Sequence, residues 1–203
     1  MTTDASARAT RRDGADTRRR ALQIALQLFT EHGYERTSLR QIADELGVNK
    51  ASLYYYFPSK DAILVALFEQ RVDEAEALLA WLREQPRTPD LLETAVLRWV
   101  DSSTADKLRG VRFVSANPLV LRGLDDAGAS GQRIGSALNA VAEELADLLP
   151  ERSAENVLVL RMAILSINAA VGAAARRGES DAVVVAAARR AARALLREIG
   201  DRS

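Results

Sequence analysis

Two short helices separated by a glycine turn are predicted between residues 37 and 60, and this segment limits the possible folds more than any other. The first helix has one apolar stripe at 3.6 residues per turn, formed by Leu39, Ile42, Ala43 and Leu46. Ser38 and Gln41 have the spacing of a capping box, and Gly47 can adopt the positive φ that ends a helix. Asn49 is a favourable N-cap, and Pro58 disfavours helix at the residue before it. A second helix of about two turns is therefore predicted over roughly residues 50–56.

The second helix carries side chains that suit contact with DNA. Hydroxyl and ammonium donors accompany a small residue that permits close approach, and such groups bind phosphates and base edges. The candidate DNA-binding residues are Thr37, Ser38, Asn49, Lys50, Ala51, Ser52, Tyr54, Tyr55 and Lys60. The alternative is that the hairpin belongs to an ordinary core, with its tyrosines packed internally and Lys60 solvated.

A supporting helix is predicted before this hairpin, between Thr17 and Gly33. Its apolar stripe consists of Ala21, Ile24, Ala25, Leu28 and Phe29. Residues 1–16 are small and polar, with arginines at positions 8, 11 and 12, and are predicted to form a disordered arm. Such an arm can enter a minor groove or simply increase solubility, and the second interpretation is favoured.

These landmarks together resemble the DNA-binding domain of TetR-family transcriptional regulators. The resemblance covers residues 17 to about 68 and rests on Gly33-Tyr34, Thr37-Ser38, Ile42-Ala43, Leu46-Gly47-Val48, the run from Leu53 to Phe57, and Lys60. It implies an all-α homodimer whose three N-terminal helices bind a palindromic operator. It also implies that the remaining helices bind a small effector and dimerise.

The rest of the chain, residues 62–203, is predicted to be helical throughout. A long helix continues from Lys60 towards Pro86, and further amphipathic segments follow. The last two, at about residues 153–175 and 181–199, are rich in alanine. The predicted architecture is therefore all-α, with a helix-turn-helix domain over residues 17–61, its motif at about 38–57, and a C-terminal effector-binding and dimerisation domain.

Composition agrees with a cytoplasmic protein. The chain has no cysteine, and no apolar run approaches the roughly 18 residues of a membrane span. Its formal net charge is zero, although residues 1–61 contain ten Arg or Lys against eight Asp or Glu. Because non-specific DNA affinity comes largely from neutralised phosphates, positive charge must be concentrated on one face to be effective.

Small residues on the last two helices predict where two copies meet. Close helix packing favours small side chains, and the candidates for the dimer interface are Ser166, Ala169, Ala170, Gly172, Ala173, Ala188, Ala191 and Leu195. A two-fold operator also requires a dimer. The alternative is that these alanines only reflect high helix propensity.

The central helices supply candidates for an effector pocket with apolar walls and a few polar anchors. They are Trp99, Arg112, Phe113, Asn117, Leu121, Met162 and Asn168. Trp99 and Phe113 have an alternative interpretation as plain core residues.

Catalysis is not expected, because His32 is the only histidine and neither a phosphate-binding loop nor a metal-ligand pair is present in the sequence. No cofactor or metal is predicted. The sequence thus favours a repressor that binds a palindromic operator as a homodimer and is released by a small, mainly hydrophobic effector. The competing hypothesis is a helical ligand-binding or interaction protein that has lost DNA binding.

Overall fold

The computed structural model describes residues 3–117, 120, 129–174 and 177–201, and the regular elements within these ranges are all α-helices. In chain order they are α1 (Thr3–His32), α2 (Leu39–Leu46), α3 (Lys50–Tyr56), α4 (Lys60–Arg83), α5 (Leu91–Asp101), α6 (Ala105–Ala116), α7 (Ala129–Ala146), α8 (Ala154–Ile164), α9 (Ser166–Ala174) and α10 (Asp181–Asp201). The all-α fold with an N-terminal helix-turn-helix is confirmed.

The chain divides into two compact units, Met1–Leu67 and Phe68–Ser203. The division falls within α4, whereas the sequence places it after residue 61. The first turns of α4 bury Ile63 and Leu64, which explains why they group with the first unit.

The first unit is built around α2 and α3, whose ends are fixed by local interactions. The predicted capping box is present at Ser38 and Gln41, and Gly47 ends α2 at φ 75°. Asn49 caps α3. Buried side chains from each helix form the core of this unit, namely Phe29, Ile42, Leu53, Phe57 and Ile63.

Helix α1 begins at Thr3, which contradicts the disordered arm predicted for residues 1–16. Alanine is the strongest helix former, and it occurs four times between residues 5 and 15. A segment that extends an existing helix also needs no new nucleus. The prediction of disorder is therefore wrong for residues 3–16.

The second unit is a helical bundle in which α10 packs along α5, α8 and α9. Its core includes Val96, Val100, Leu145, Leu160 and Ala188. Several ion pairs lie around it, among them Arg193 Nε to Glu93 Oε1 at 3.0 Å.

One predicted helix is broken in this unit. The sequence predicts one helix over residues 153–175. In the structure α8 ends at Ile164 and α9 begins at Ser166, with a bend of 49° between them. The sequence around Leu165 contains neither glycine nor proline, so no local signal predicts the bend. Within the described ranges no single helix is long and apolar enough to cross a membrane, and only this bent pair, taken together, has the required length and composition.

Candidate nucleic-acid interface

Helix α3 is anchored by one residue and exposes most of the others. Leu53 is fully buried, whereas Lys50, Ala51, Tyr54 and Tyr55 lie at the surface. At 100° per residue these four positions fall within an arc of about 140°, on the side of the helix away from Leu53. The exposed arc therefore presents one ammonium, one methyl group and two phenols to a partner.

Aromatic side chains dominate this arc. Tyr55 is 84% exposed and Tyr54 is 41% exposed, values that are unusual for rings of this size in a folded domain. Lys50 Nζ lies 5.2 Å from the centroid of the Tyr54 ring, and the rings of Tyr55 and Tyr56 meet edge to face at 5.3 Å. These contacts limit the freedom of the exposed side chains before any partner binds.

The N-terminus of α3 is held by Asn49 and Ser52. Asn49 Oδ1 accepts hydrogen bonds from the backbone N–H of Ser52 at 2.8 Å and from Ser52 Oγ at 2.9 Å. Recognition helices use their N-terminal residues on base edges. The cap therefore fixes the part of α3 from which sequence discrimination is expected.

A second exposed helix start lies at α2. The backbone N–H of Ser38 donates to Gln41 Oε1 at 2.8 Å, and the backbone N–H of Gln41 donates to Ser38 Oγ at 3.2 Å. Ser38 is exposed, so a phosphate can approach this helix start from solvent.

Thr37 is a correction to the predicted set of DNA-binding residues. Its side chain is only 2% exposed, and Thr37 Oγ1 lies 2.9 Å from the carbonyl oxygen of Gly33 and 3.2 Å from that of Leu28. The hydroxyl therefore closes the turn after α1 inside the domain, because threonine can satisfy a local carbonyl as readily as an external phosphate.

Lys60 is also engaged within the protein. Its Nζ donates to the carbonyl oxygen of Tyr34 at 2.7 Å and to that of Glu35 at 3.3 Å, and it lies 4.3 Å from the centroid of the Tyr34 ring. Its predicted contact with DNA stays a prediction, and these contacts give the residue a second role.

The predicted effector residues are not brought together by the described part of the chain. Trp99 and Phe113 are buried in helix packing, whereas Met162 and Asn168 are exposed. Surface depressions of about 660 and 200 Å³ among the described residues are lined by other side chains. Leu121 lies outside the described residues.

Two polar effector candidates already have partners. Arg112 Nη2 lies 2.6 Å from Asp181 Oδ1, and Asn117 Nδ2 donates to the carbonyl oxygen of Phe113 at 2.8 Å. The guanidinium carbon of Arg71 lies over the ring of Trp99, 5.1 Å from its centroid. The residues predicted to line one effector pocket therefore include core positions, surface positions and members of ion pairs.

The predicted dimer residues separate into two groups. Ser166 and Ala188 are buried within their own unit and are unavailable to a second copy, which corrects the prediction for these two positions. Ala170 and Leu195 are partly buried against the core. The exposed candidates are Ala169, Gly172, Ala173 and Ala191.

Larger exposed side chains extend this group; sequence reasoning missed Leu158 and Leu165 and assigned Met162 to the effector pocket. Leu158, Met162, Leu165, Ala169 and Ala173 form what we name the exposed apolar stripe, with spacings of three or four residues along α8 and α9. Leu158, Met162 and Leu165 are 62%, 57% and 54% exposed. Val183, 50% exposed, and Ala187 begin a similar row on α10. The spacing was visible in the sequence, but the face it occupies was not.

Comparison with known proteins supports the reading of the first unit. Residues 21–67 match the family model described as bacterial regulatory proteins, tetR family. The HTH-type transcriptional regulator RutR of Escherichia coli (strain K12) is 44% identical over 63 residues, which are 31% of this chain and 30% of RutR. The chain therefore matches less than a third of that relative's length.

Two further relatives cover most of the chain. The HTH-type transcriptional repressor BepR of Brucella suis biovar 1 (strain 1330) is 26% identical over 170 residues, which are 78% of this chain and 81% of BepR. The solved structure of the fatty acid degradation regulator FadR from Bacillus halodurans aligns with a TM-score of 0.62 at 21% identity, covering 89% of this chain and 94% of that chain. The FadR alignment shows that the fold extends beyond the first unit.

Proposed function

We propose that this chain is a DNA-binding transcriptional regulator of the TetR family, whose family model matches residues 21–67. The single observation that carries the proposal is the surface of α3: a capped, two-turn helix that is anchored by Leu53 and exposes Lys50, Ala51, Tyr54 and Tyr55 on one side. A helix with this exposure fits the major groove of B-form DNA. Repression is the favoured direction of regulation, because BepR, similar over 78% of the chain, is a repressor.

A homodimer is the proposed DNA-binding form. The exposed apolar stripe is a long row of uncharged side chains, and a two-fold axis lets the same row pack against its copy. A dimer of this kind carries two α3 helices. Its operator is expected to be a palindrome with half-sites separated by about 34–36 Å or a multiple of that distance.

The proposed effector is a small, mainly hydrophobic molecule that releases the protein from its operator. The buried aromatic rings of the second unit, Trp99 and Phe113, offer apolar walls once helices separate to admit a ligand. A coupling of about 1–3 kcal/mol between effector and DNA changes occupancy by a factor of about 5 to 150. A regulator that acts on chromosomal DNA is expected in the cytoplasm.

The experiment begins with a duplex that the wild-type protein enriches from a random-sequence pool. Tyr55→Ala and Lys50→Ala should each weaken binding to that duplex by roughly 5- to 150-fold, because each good base contact discriminates by about 1–3 kcal/mol. Arg177→Ala is the matched control, since it removes an exposed cation from the second unit. Fluorescence anisotropy at fixed salt measures all three affinities.

The same experiment contains the result that would refute the proposal. Failure of the wild type to enrich any duplex would favour a helical ligand-binding protein without DNA-binding activity. Equal affinity of all three variants for the enriched duplex would show that α3 is not part of the DNA-binding interface.

A further inference from the structure

Helices α4, α5 and α6 bring a small group of charged side chains together within the second unit. Glu74 of α4 lies between two cations: its Oε2 is 3.3 Å from Nη1 of Arg71, and its Oε1 is 3.0 Å from Nζ of Lys107. The side chains of Arg71, Glu74 and Lys107 are 24%, 25% and 15% exposed. Two positive charges therefore share one carboxylate in a largely covered place, which we name the cationic cluster.

The described part of the chain uses only a fraction of the hydrogen-bonding capacity of these two cations. A guanidinium offers several N–H donors in a planar fork, and the hydrogen bond that Arg71 makes with the described residues goes to Glu74. Lys107 Nζ donates to the carbonyl oxygen of Ser102 at 2.5 Å and pairs with Glu74, which leaves a further N–H group of its ammonium. The cationic cluster can therefore donate hydrogen bonds to an additional acceptor.

The excess positive charge of the cluster is unfavourable in such a place, because covered surroundings solvate a charge less well than water does. Burial lowers the pKa of the Arg71 guanidinium, and the charge of Glu74 opposes this only in part. The carboxylate of α6, Asp106, is paired with Arg109. A second carboxylate at Arg71 and Lys107 would make the cluster neutral and would accept charge-assisted hydrogen bonds.

Next to Lys107, α6 has an open side at Gly110. A Cβ at this glycine would meet no atom within 4 Å, although glycine destabilises the interior of a helix relative to alanine. At 100° per residue, Val114 lies about 20° and Gly110 about 60° around the helix from Lys107. A molecule held by its anionic end at Lys107 can therefore extend along an apolar surface formed by Gly110 and Val114.

We propose that Arg71 and Lys107 bind the anionic group of the effector, and that the effector is a small organic carboxylate with an apolar body. The planar guanidinium fork matches the two oxygens of a carboxylate, and the ammonium supplies a further charged donor. The role of this ligand as an effector rests on the proposed function, whereas its binding to the second unit does not. The competing hypothesis is that Glu74 only ties α4 to α6 in an ordinary network of ion pairs.

The probes that test the site are hexanoate, octanoate and phenylacetate, each compared with its neutral primary amide. The chain has two tryptophans, and each lies under an arginine: Trp99 under Arg71, and Trp81 under Arg98, whose guanidinium carbon is 4.6 Å from the ring centroid. In an NMR titration of the full chain, the indole N–H signal of Trp99 reports binding at the cationic cluster, and that of Trp81 is an internal control. At least one carboxylate should shift the Trp99 signal saturably, and its amide should bind at least about tenfold more weakly.

Two substitutions should change the affinity for that carboxylate in opposite directions. Lys107→Met should weaken binding by about tenfold or more, because it removes a charged donor. Glu74→Gln should strengthen binding several-fold, because it removes the negative charge that competes for both cations. Arg98→Met is the matched control, which removes an exposed guanidinium over the other tryptophan and should leave the affinity unchanged.

A separate variant tests where the apolar body lies and keeps the proposal testable if a charge variant does not fold. Gly110→Leu fills the open side of α6 without altering a charge, and it should weaken binding of the carboxylate by about tenfold or more. Gly135→Leu is its control, because Gly135 is an exposed helical glycine of α7 that also has no atom within 4 Å of a Cβ position. It should bind the carboxylate as the wild type does.

Three results would overturn the proposal: no carboxylate shifts the Trp99 signal, a carboxylate and its amide bind equally well, or Glu74→Gln fails to strengthen binding. The effector role has its own test, since the bound carboxylate should also weaken binding to the duplex enriched by the wild type. A carboxylate that binds at the cluster and leaves duplex affinity unchanged would refute that role. If the wild type enriches no duplex, the proposed function fails, and the NMR titrations still decide whether the cluster binds a carboxylate.

Discussion

Truncation of Met162 to alanine is expected to weaken self-association of the chain roughly 30-fold, a value that follows from its exposure and from two-fold symmetry. Full burial of a methionine side chain contributes about 1.5–3 kcal/mol, and Met162 is 57% exposed in the single chain. The share left for a partner to bury is therefore about 1 kcal/mol per copy. A two-fold interface buries the residue twice, which gives about 2 kcal/mol for the dimer.

The single chain should tolerate this change. More than half of the Met162 surface faces solvent, and truncation of exposed side chains usually alters the free energy of unfolding by less than about 0.5 kcal/mol. The effect on association can thus be separated from an effect on folding.

Sedimentation equilibrium over a range of protein concentrations measures the dimer dissociation constant. Leu138→Ala is the matched control, because Leu138 is 40% exposed on α7 and lies outside the exposed apolar stripe. Equal weakening by the two truncations would refute the assignment of the stripe to the dimer. A dissociation constant unchanged by Met162→Ala would do the same.

The remaining predictions concern the first unit. Leu53→Ala should lower the free energy of unfolding by about 2–5 kcal/mol, because it empties a fully buried position. Urea titration measures this, and Tyr55→Ala should change the same quantity by less than about 0.5 kcal/mol, since Tyr55 is 84% exposed. A similar loss in both variants would contradict the assignment of Leu53 as the anchor of α3. Tyr34 should cause a loss of stability at alkaline pH, because its raised pKa means that the folded state holds the phenolic proton more tightly than the unfolded chain. That contribution is present below about pH 10, the ordinary pKa of tyrosine, and is lost as the pH rises through the folded-state value, so urea titrations of Tyr34→Phe should show a shallower alkaline decline than the wild type. Parallel declines in the two proteins would count against the buried hydrogen bond to Asp61.

The helix-turn-helix could be predicted from the sequence because its signals are local. A capping box spans three residues, an apolar stripe repeats within one or two turns, and Gly47 and Pro58 act on their neighbours. The observed helices α2 and α3 accordingly match their predicted extents. The bend at Leu165 and the helical start of α1 had no comparably clear local signal.

Whether an individual side chain lies in the interior or at the surface could not be predicted in the same way. Thr37 was expected on the DNA surface and instead closes an internal turn. The ammonium of Lys60 donates hydrogen bonds to backbone carbonyl oxygens of the same domain. Threonine and lysine donate equally well to a phosphate or to a carbonyl group. Which acceptor lies nearest depends on residues distant in sequence.

The alanine-rich helices show the same limit. Their small residues occur on more than one face, so Ala188 and Ala191 were grouped together although only Ala191 is exposed. By itself, the sequence determined the all-α class and the extents of α2 and α3, because periodicity and caps act within a few residues. Only the tertiary structure decided which face of each helix is buried, since that depends on neighbours brought together by packing.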